Sequence, residues 1–417
     1  MTKYIKRFEL TSQYEEYINS DMAILPNVSL TNDNDIVYYN PFLNYLKFTA
    51  EEDNSTISLN SKTSPDMKYS LNGGEWTQWD YDAITLNTGD TVRMKGNNSN
   101  GFSTSESSYN QFQMKGKIGA SGNIMSLLYE DDFEGKLTIP CNYCFYSMFY
   151  GCESLTTAPE LPATTLKDRC YYGMFQGCES LTIAPELSAT TLADYCYGNM
   201  LYGCKSLTTA PELHATTLTN GCYYQMFMGC SAIIFAPELP ATTLAKSCYF
   251  WMFYGCSSLT TAPELPATTL LERCYEFMFY NCSSLTVAPE LPATTLTNGC
   301  YNNMFKGCTS LINAPELPAT TLAESCYSRM FYNCTSLMTA PILPATILEN
   351  YCYQEMFYGC TNLNYIKMLA TNIYVTCLND WVSGVSSTGT FIKHPNMTSL
   401  PTGSSGIPEY WTVQDAA

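Results

Sequence analysis

Apolar and polar positions in residues 141–365 recur with a period of 26. One unit, beginning at Gly177, reads GCESLTIAPELSATTLADYCYGNMLY. The SLTxAPEL run predicts a short strand bounded by proline, and the ATTL that follows turns the chain. The next stretch, xxxCYxxMFxGC, has helical spacing. In the unit from Leu166, apolar residues Leu166, Cys170, Met174, Phe175 and Cys178 stand at offsets 0, 4, 8, 9 and 12, which reads as one helical stripe. Gly177, Gly203 and Gly229 then predict left-handed C-caps. Asn281 and Asn333 stand in the same column, and asparagine is the other residue tolerant of that conformation. Each unit is therefore expected to be strand–turn–helix. One unit cannot bury its own stripe, but nine stacked units bury a continuous core. Their strands are expected to pair in parallel, because each connection is a full crossover.

The flanks read differently. In residues 41–130, YLKFTAEE, STISLN, MKYSLNGGEWTQW, AITLNTGDTVRMKG and NQFQMKG are short β-rich runs separated by turn signals such as NGG and NTGD. They predict a β-sandwich-like domain over 41–140. Residues 1–40 form an opening module: a KYIKRF strand, a short helix opened by the Ser12/Glu15 capping box and running through Ile18, and a hairpin from NVSL and IVYY around TNDND. Residues 366–417 break the period and are assigned as the atypical unit that covers the last open core face. The expected class is α+β: a sandwich-like domain, then a leucine-rich-repeat-type solenoid of nine 26-residue units over 141–365, then a C-terminal cap.

Composition narrows the function. With 20 Lys+Arg against 38 Asp+Glu, the net charge of −18 argues against non-specific nucleic-acid binding. Two histidines leave little room for His-based catalysis or a polyhistidine metal site. No run approaches the length of a membrane span, and the N-terminus lacks the apolar core of a secretory signal. The internal LPATT elements look superficially like sortase signals, but they recur and lack the final glycine, so they read as structure.

Eighteen of the 20 cysteines fall in two repeat columns, in pairs eight residues apart from Cys144/Cys152 to Cys352/Cys360. Two cysteines eight apart on one helix lie about 12 Å from each other, too far to bridge. They read as small, reduced, buried side chains, with inter-repeat disulfides or later oxidation as the other readings. Cys141 and Cys144 form the only C-x-x-C, half a zinc knuckle without a second half. Glu160, Glu186, Glu212, Glu238, Glu264, Glu290 and Glu316 share one column. Stacked carboxylates repel, so they should be solvated, capped by backbone N–H groups or bridged by cations. No distinct acid–base pair, catalytic triad or phosphate loop breaks the repeat, and neither an enzyme nor a cofactor is expected.

Two adjacent positions vary freely between units: Tyr172/Gly173, Gly198/Asn199, Tyr224/Gln225, Phe250/Trp251, Glu276/Phe277, Asn302/Asn303, Ser328/Arg329 and Gln354/Glu355. So does the column from Thr157 through Phe235 to Thr339. Such variation fits either relaxed solvent-facing sites or a tailored binding surface. Phe235, Phe250, Trp251, Phe277 and Tyr224 fall in neighbouring units, and exposed aromatics are common binding residues. They are the candidate ligand-binding residues, with no catalytic or metal site.

The block MFYGCSSLTTAPELP resembles the BspA-like (Treponema-type) leucine-rich repeat, with Met252–Phe253 in place of its Ala-Phe and Ala262–Pro263 at the strand end. That resemblance implies a curved, non-catalytic solenoid used for adhesion on bacterial surfaces. The unit is longer than is usual there, which puts detailed transfer of surfaces in doubt. The ends of the chain, WVSGVSSTGTFIKHPN with GIPEYWTV and KRFELTSQYEEYINS with ILPNVSL, resemble structural proteins of Bacteroides-infecting, crAss-like phages. Together the resemblances imply a non-enzymatic virion fibre or appendage protein exposed on the particle. Its residues 1–40 would join other virion proteins, and its repeats would bind a host-surface protein or glycan. Membrane insertion is not expected, and a homo-oligomer is compatible. The alternative is a bacterial cell-surface BspA-like adhesin.

Overall fold

The computed structural model of the chain describes residues 29–30, 36–37, 43–373, 375–398 and 400–417. It divides into two compact units, Met1–Leu43 and Asn44–Ala417. In the first, strands β1 (Ser29–Leu30) and β2 (Ile36–Val37) pair antiparallel. The predicted KYIKRF strand and capped helix lie outside the described residues.

The second unit opens with two antiparallel sheets. Strands β3 (Leu46–Ala50), β5 (Lys68–Leu71), β6 (Thr77–Gln78), β8 (Thr91–Lys95) and β10 (Ile118–Ser121) form one, in the order β10-β3-β8-β5-β6. Strands β4 (Ser55–Asn60), β7 (Ile84–Leu86) and β9 (Gln111–Lys115) form the other, in the order β7-β4-β9. Period-two alternation explains the core between them. Leu46, Phe48 and Ala50 of β3 point inward, and Phe48 meets Phe112 of β9 at 5.2 Å between ring centroids. Phe112 also stacks on Phe149 at 5.4 Å, so the sheets' core runs into the first repeat.

In the repeats the expected α+β solenoid of nine strand–turn–helix units is overturned. Among the described residues the helical segments are α1 (Ser126–Tyr129) and a 3-10 turn at Val375–Leu378, both outside the repeats. The CYxxMFxGC stretch is a train of turns. Tyr172 N donates to Arg169 O (3.3 Å), Met174 N to Tyr171 O (3.2 Å), Gln176 N to Gly173 O (3.1 Å) and Cys178 N to Phe175 O (3.0 Å). An α-helix would bond four residues back, not three. The alternate amides donate to the next unit instead: Tyr171 N to Cys196 O (3.1 Å), Gly173 N to Gly198 O (2.8 Å), Phe175 N to Met200 O (2.9 Å) and Gly177 N to Tyr202 O (2.7 Å).

Every fourth residue is left-handed, as at Arg169, Gly173 and Gly177, with φ of 52°, 61° and 76°. A right-handed helix cannot pass through such positions. The apolar offsets 0, 4, 8 and 12 are the period of these four-residue turns. The predicted strand also shrinks, to isolated bridging residues. Thr157, Ile183, Thr209, Phe235, Thr261, Val287, Asn313 and Thr339 each pair in parallel with the next, and Thr339 pairs with Tyr365. The proline that closes each run has no N–H to extend the ladder.

The core of the repeats is a set of identical columns. Tyr171, Tyr197, Tyr223, Tyr249, Tyr275, Tyr301, Tyr327 and Tyr353 are buried and stack ring on ring at 5.7–6.1 Å. The 18 column cysteines are all free thiols. In the column from Cys152 to Cys360 each thiol donates to a buried carbonyl, as Cys256 Sγ does to Phe227 O at 3.1 Å. A small side chain with a weak donor suits that position. Burial pushes the thiols of Cys170, Cys230 and Cys360 up to about 12.

Cys141 differs. It is half-buried, and a hydrogen bond from Cys144 holds its thiol below the usual range. Because the thiolate is the reactive form, iodoacetamide at neutral pH is expected to alkylate Cys141 in the folded chain. The column cysteines should react only after denaturation. Peptide mass spectrometry reads the pattern, and native labelling of the columns would contradict it.

The array runs into a parallel sheet of β11 (Tyr365–Met368), β12 (Thr390–Lys393) and β13 (Thr412–Asp415). Trp381 is fully buried there, 6.0 Å from Phe357, and its Nε1 donates to Gly406 O at 2.8 Å.

Candidate functional site

The two variable positions of each unit lie side by side in the turn train. The second is left-handed throughout: φ is 54° at Asn199, 55° at Gln225, 56° at Trp251, 57° at Phe277 and 56° at Asn303. Glycine and asparagine tolerate that conformation, whereas a bulky residue there is an outlier. Trp251 and Phe277 are therefore unusual occupants.

The structure brings four of the five candidate residues together. Tyr224 stacks on Phe250 at 5.2 Å with rings 2° from parallel. Phe250 packs on Trp251 at 5.1 Å, and Phe277 meets Trp251 edge-on at 5.4 Å. Tyr254 and Tyr280, themselves stacked at 4.6 Å, extend the cluster through Trp251 and Phe277. Phe250 is only 8% exposed, so it supports the patch, while Tyr224, Trp251 and Phe277 are partly exposed. The Trp251 Nε1 is buried with no hydrogen-bond partner among the described residues. Phe235 does not join them. It is 70% exposed on the bridge ladder, between Thr209 and Thr261.

Sequence reasoning missed the charged pair beside the rings. Arg273 lies 5.4 Å over the Phe250 ring and its Nε donates to Glu276 Oε2 at 2.5 Å. Asn302 donates to the other Glu276 oxygen at 3.0 Å. Glu276 is 2% exposed, and burial pushes its carboxyl up from the ordinary range. The available signal was a glutamate in a column that elsewhere holds rings, glycine or small polar residues, with an arginine three positions before it.

The other expected chemistry falls away from this face. The seven column glutamates are exposed, and Glu160 accepts a hydrogen bond from Asn44 at 2.7 Å. Among the described residues no group of three or more His, Cys, Asp or Glu is placed to hold a metal ion. Nor is any helix among them long and apolar enough to cross a membrane.

What the repeats define is a scaffold of stacked turns that holds side chains in columns at fixed spacing. Residues 295–379 match the family model of the BspA type leucine rich repeat region, in six copies. In that stretch the chain is similar to repeat proteins of the surface-adhesion type, which bind rather than catalyse. A search of the curated proteins finds no match.

Proposed function

We propose that this chain is a non-catalytic adhesion protein of a phage particle, and that its repeats present the Tyr224–Phe250–Trp251–Phe277 face to a host-surface protein or glycan. The observation that carries the adhesive reading is the contiguous cluster of Tyr224, Phe250, Trp251 and Phe277 rings, three of them partly exposed. The backbone at Trp251 and Phe277 is left-handed. A non-glycine residue there costs about 1–2 kcal/mol; the column uses Gly173, Asn199 and Asn303, and also Gln225, Arg329 and Glu355. The aromatic face supplies the rigid, amphipathic area that recognition surfaces use.

The particle assignment rests on the terminal sequence segments, with residues 1–40 as the module that joins other virion proteins. A bacterial cell-surface adhesin is equally consistent with the BspA-type match. Peptide mass spectrometry of purified virions and of washed host-cell surfaces separates the two. Peptides of this chain are expected in virions. Their absence there, with presence on cells, would defeat the phage reading and leave the adhesive one standing.

A further inference from the structure

The outer ring column has a gap. Tyr146 stacks on Tyr172 at 5.4 Å, with rings 4° from parallel, and Tyr224 stacks on Phe250 at 5.2 Å. Between the two pairs, the position that would carry the next ring is Gly198. A cavity of about 280 Å³ opens there, lined by Tyr146, Tyr172, Tyr195, Tyr224, Arg169 and Glu106.

Two glycines make the room. A Cβ at Gly198 would fall 2.7 Å from the Tyr172 ring, and one at Gly221 would fall 2.2 Å from the Tyr195 ring. Neither tyrosine could keep its place beside a larger residue. Tyr195 meets Tyr224 edge-on at 6.0 Å. Arg169 is held over the Tyr195 ring at 4.8 Å, and its Nη1 donates to Tyr143 Oη at 3.0 Å. Glu106 reaches in from an exposed loop after β8, where Ser108 N donates to Ser105 Oγ at 3.0 Å.

We propose that this gap binds one uncharged saccharide unit, its C–H face stacked on the tyrosine rings and its hydroxyls shared between Glu106 and Arg169. The walls select that class. Aromatic faces favour a flat apolar surface, while a carboxylate and a guanidinium together favour a ligand that both donates and accepts. An anion would meet Glu106, and a wholly apolar ligand would leave the polar groups unpaired. The volume lies at the small end of ligand cavities and suits one pyranose. Burial among its neighbours pushes the Tyr172 phenol up to about 12, so it remains a donor at neutral pH.

The pocket shares only Tyr224 with the proposed adhesive face, and its ligand is read from its own walls. It rests on the adhesive reading only for its biological use.

The test is saturation-transfer NMR on the full chain with glucose, galactose, mannose and N-acetylglucosamine, each at millimolar concentration. At least one sugar is expected to receive saturation on its ring protons. Affinity should fall about tenfold or more in Glu106→Gln, which loses a charge-assisted contact. Glu106 is exposed, so that variant should fold. Gly198→Ala should also weaken binding. No transfer to any of the four sugars, or equal transfer in wild type and Glu106→Gln, would overturn the proposal. Loss of sugar binding in Gly198→Ala alone would count against it too, since that points to misfolding. Retained sugar binding in a chain that no longer binds cells would separate the pocket from the adhesive face.

Discussion

Replacing Tyr275 by alanine is expected to destabilise the folded chain by about 3–5 kcal/mol, the range for deleting a buried aromatic ring. Tyr275 is 1% exposed and stacks at 5.7 Å on Tyr249 and on Tyr301, in the middle of the column. Its removal breaks the contact between consecutive units. A repeat array is held mainly by such nearest-neighbour terms, so a central break should also broaden the transition. Tyr275→Phe is the control. The Tyr275 hydroxyl is buried with no hydrogen-bond partner among the described residues, so losing it should cost nothing or stabilise by about 1 kcal/mol. Denaturant titration followed by fluorescence gives both values. A small effect for Tyr275→Ala would mean that the column does not hold the units together.

The period and its columns were legible in the sequence, because identical packing demands identical residues. Cys170, Met174, Phe175 and Cys178 are all buried. The segment Ser55–Asn60 is a strand where STISLN alternates. What the spacing could not settle was turn against helix. Over three steps, a period of four and one of 3.6 place the same residues on one side.

The deciding signal lay in two glycine-bearing columns. Gly173, Asn199 and Asn303 share one, and Gly221 and Gly299 share another, and all five have positive φ. A helix interior disfavours glycine by about 1 kcal/mol, so glycine one turn before Gly177 and two turns before Gly229 and Gly307 spoke against a helix. The aromatic cluster was legible by counting 26 residues from Tyr224 to Phe250. Phe235 was misplaced because it lies in the same unit as Phe250 but on the bridge ladder, away from the turn train. The Gly198 pocket needed the tyrosine orientations, which no spacing supplies.

The second large effect concerns binding. Trp251→Asn installs the residue that the same column already carries at Asn199 and Asn303, in the same backbone conformation. Relief of the left-handed strain, about 1 kcal/mol, should offset much of the packing lost against Phe250, Tyr254 and Phe277. Fold stability is therefore expected to change by less than about 1 kcal/mol. A central aromatic in a binding face typically contributes about 2 kcal/mol or more, so affinity should fall roughly 30-fold. Phe277→Asn should behave alike, and the double variant should lose less than the sum, since the two rings touch.

The direct measurement is binding of the purified chain to intact host cells, comparing wild type with Trp251→Asn at matched stability. The aromatic face predicts a loss of roughly 30-fold in affinity. Equal binding by the two proteins would place recognition elsewhere on the chain and contradict the adhesive role of this face.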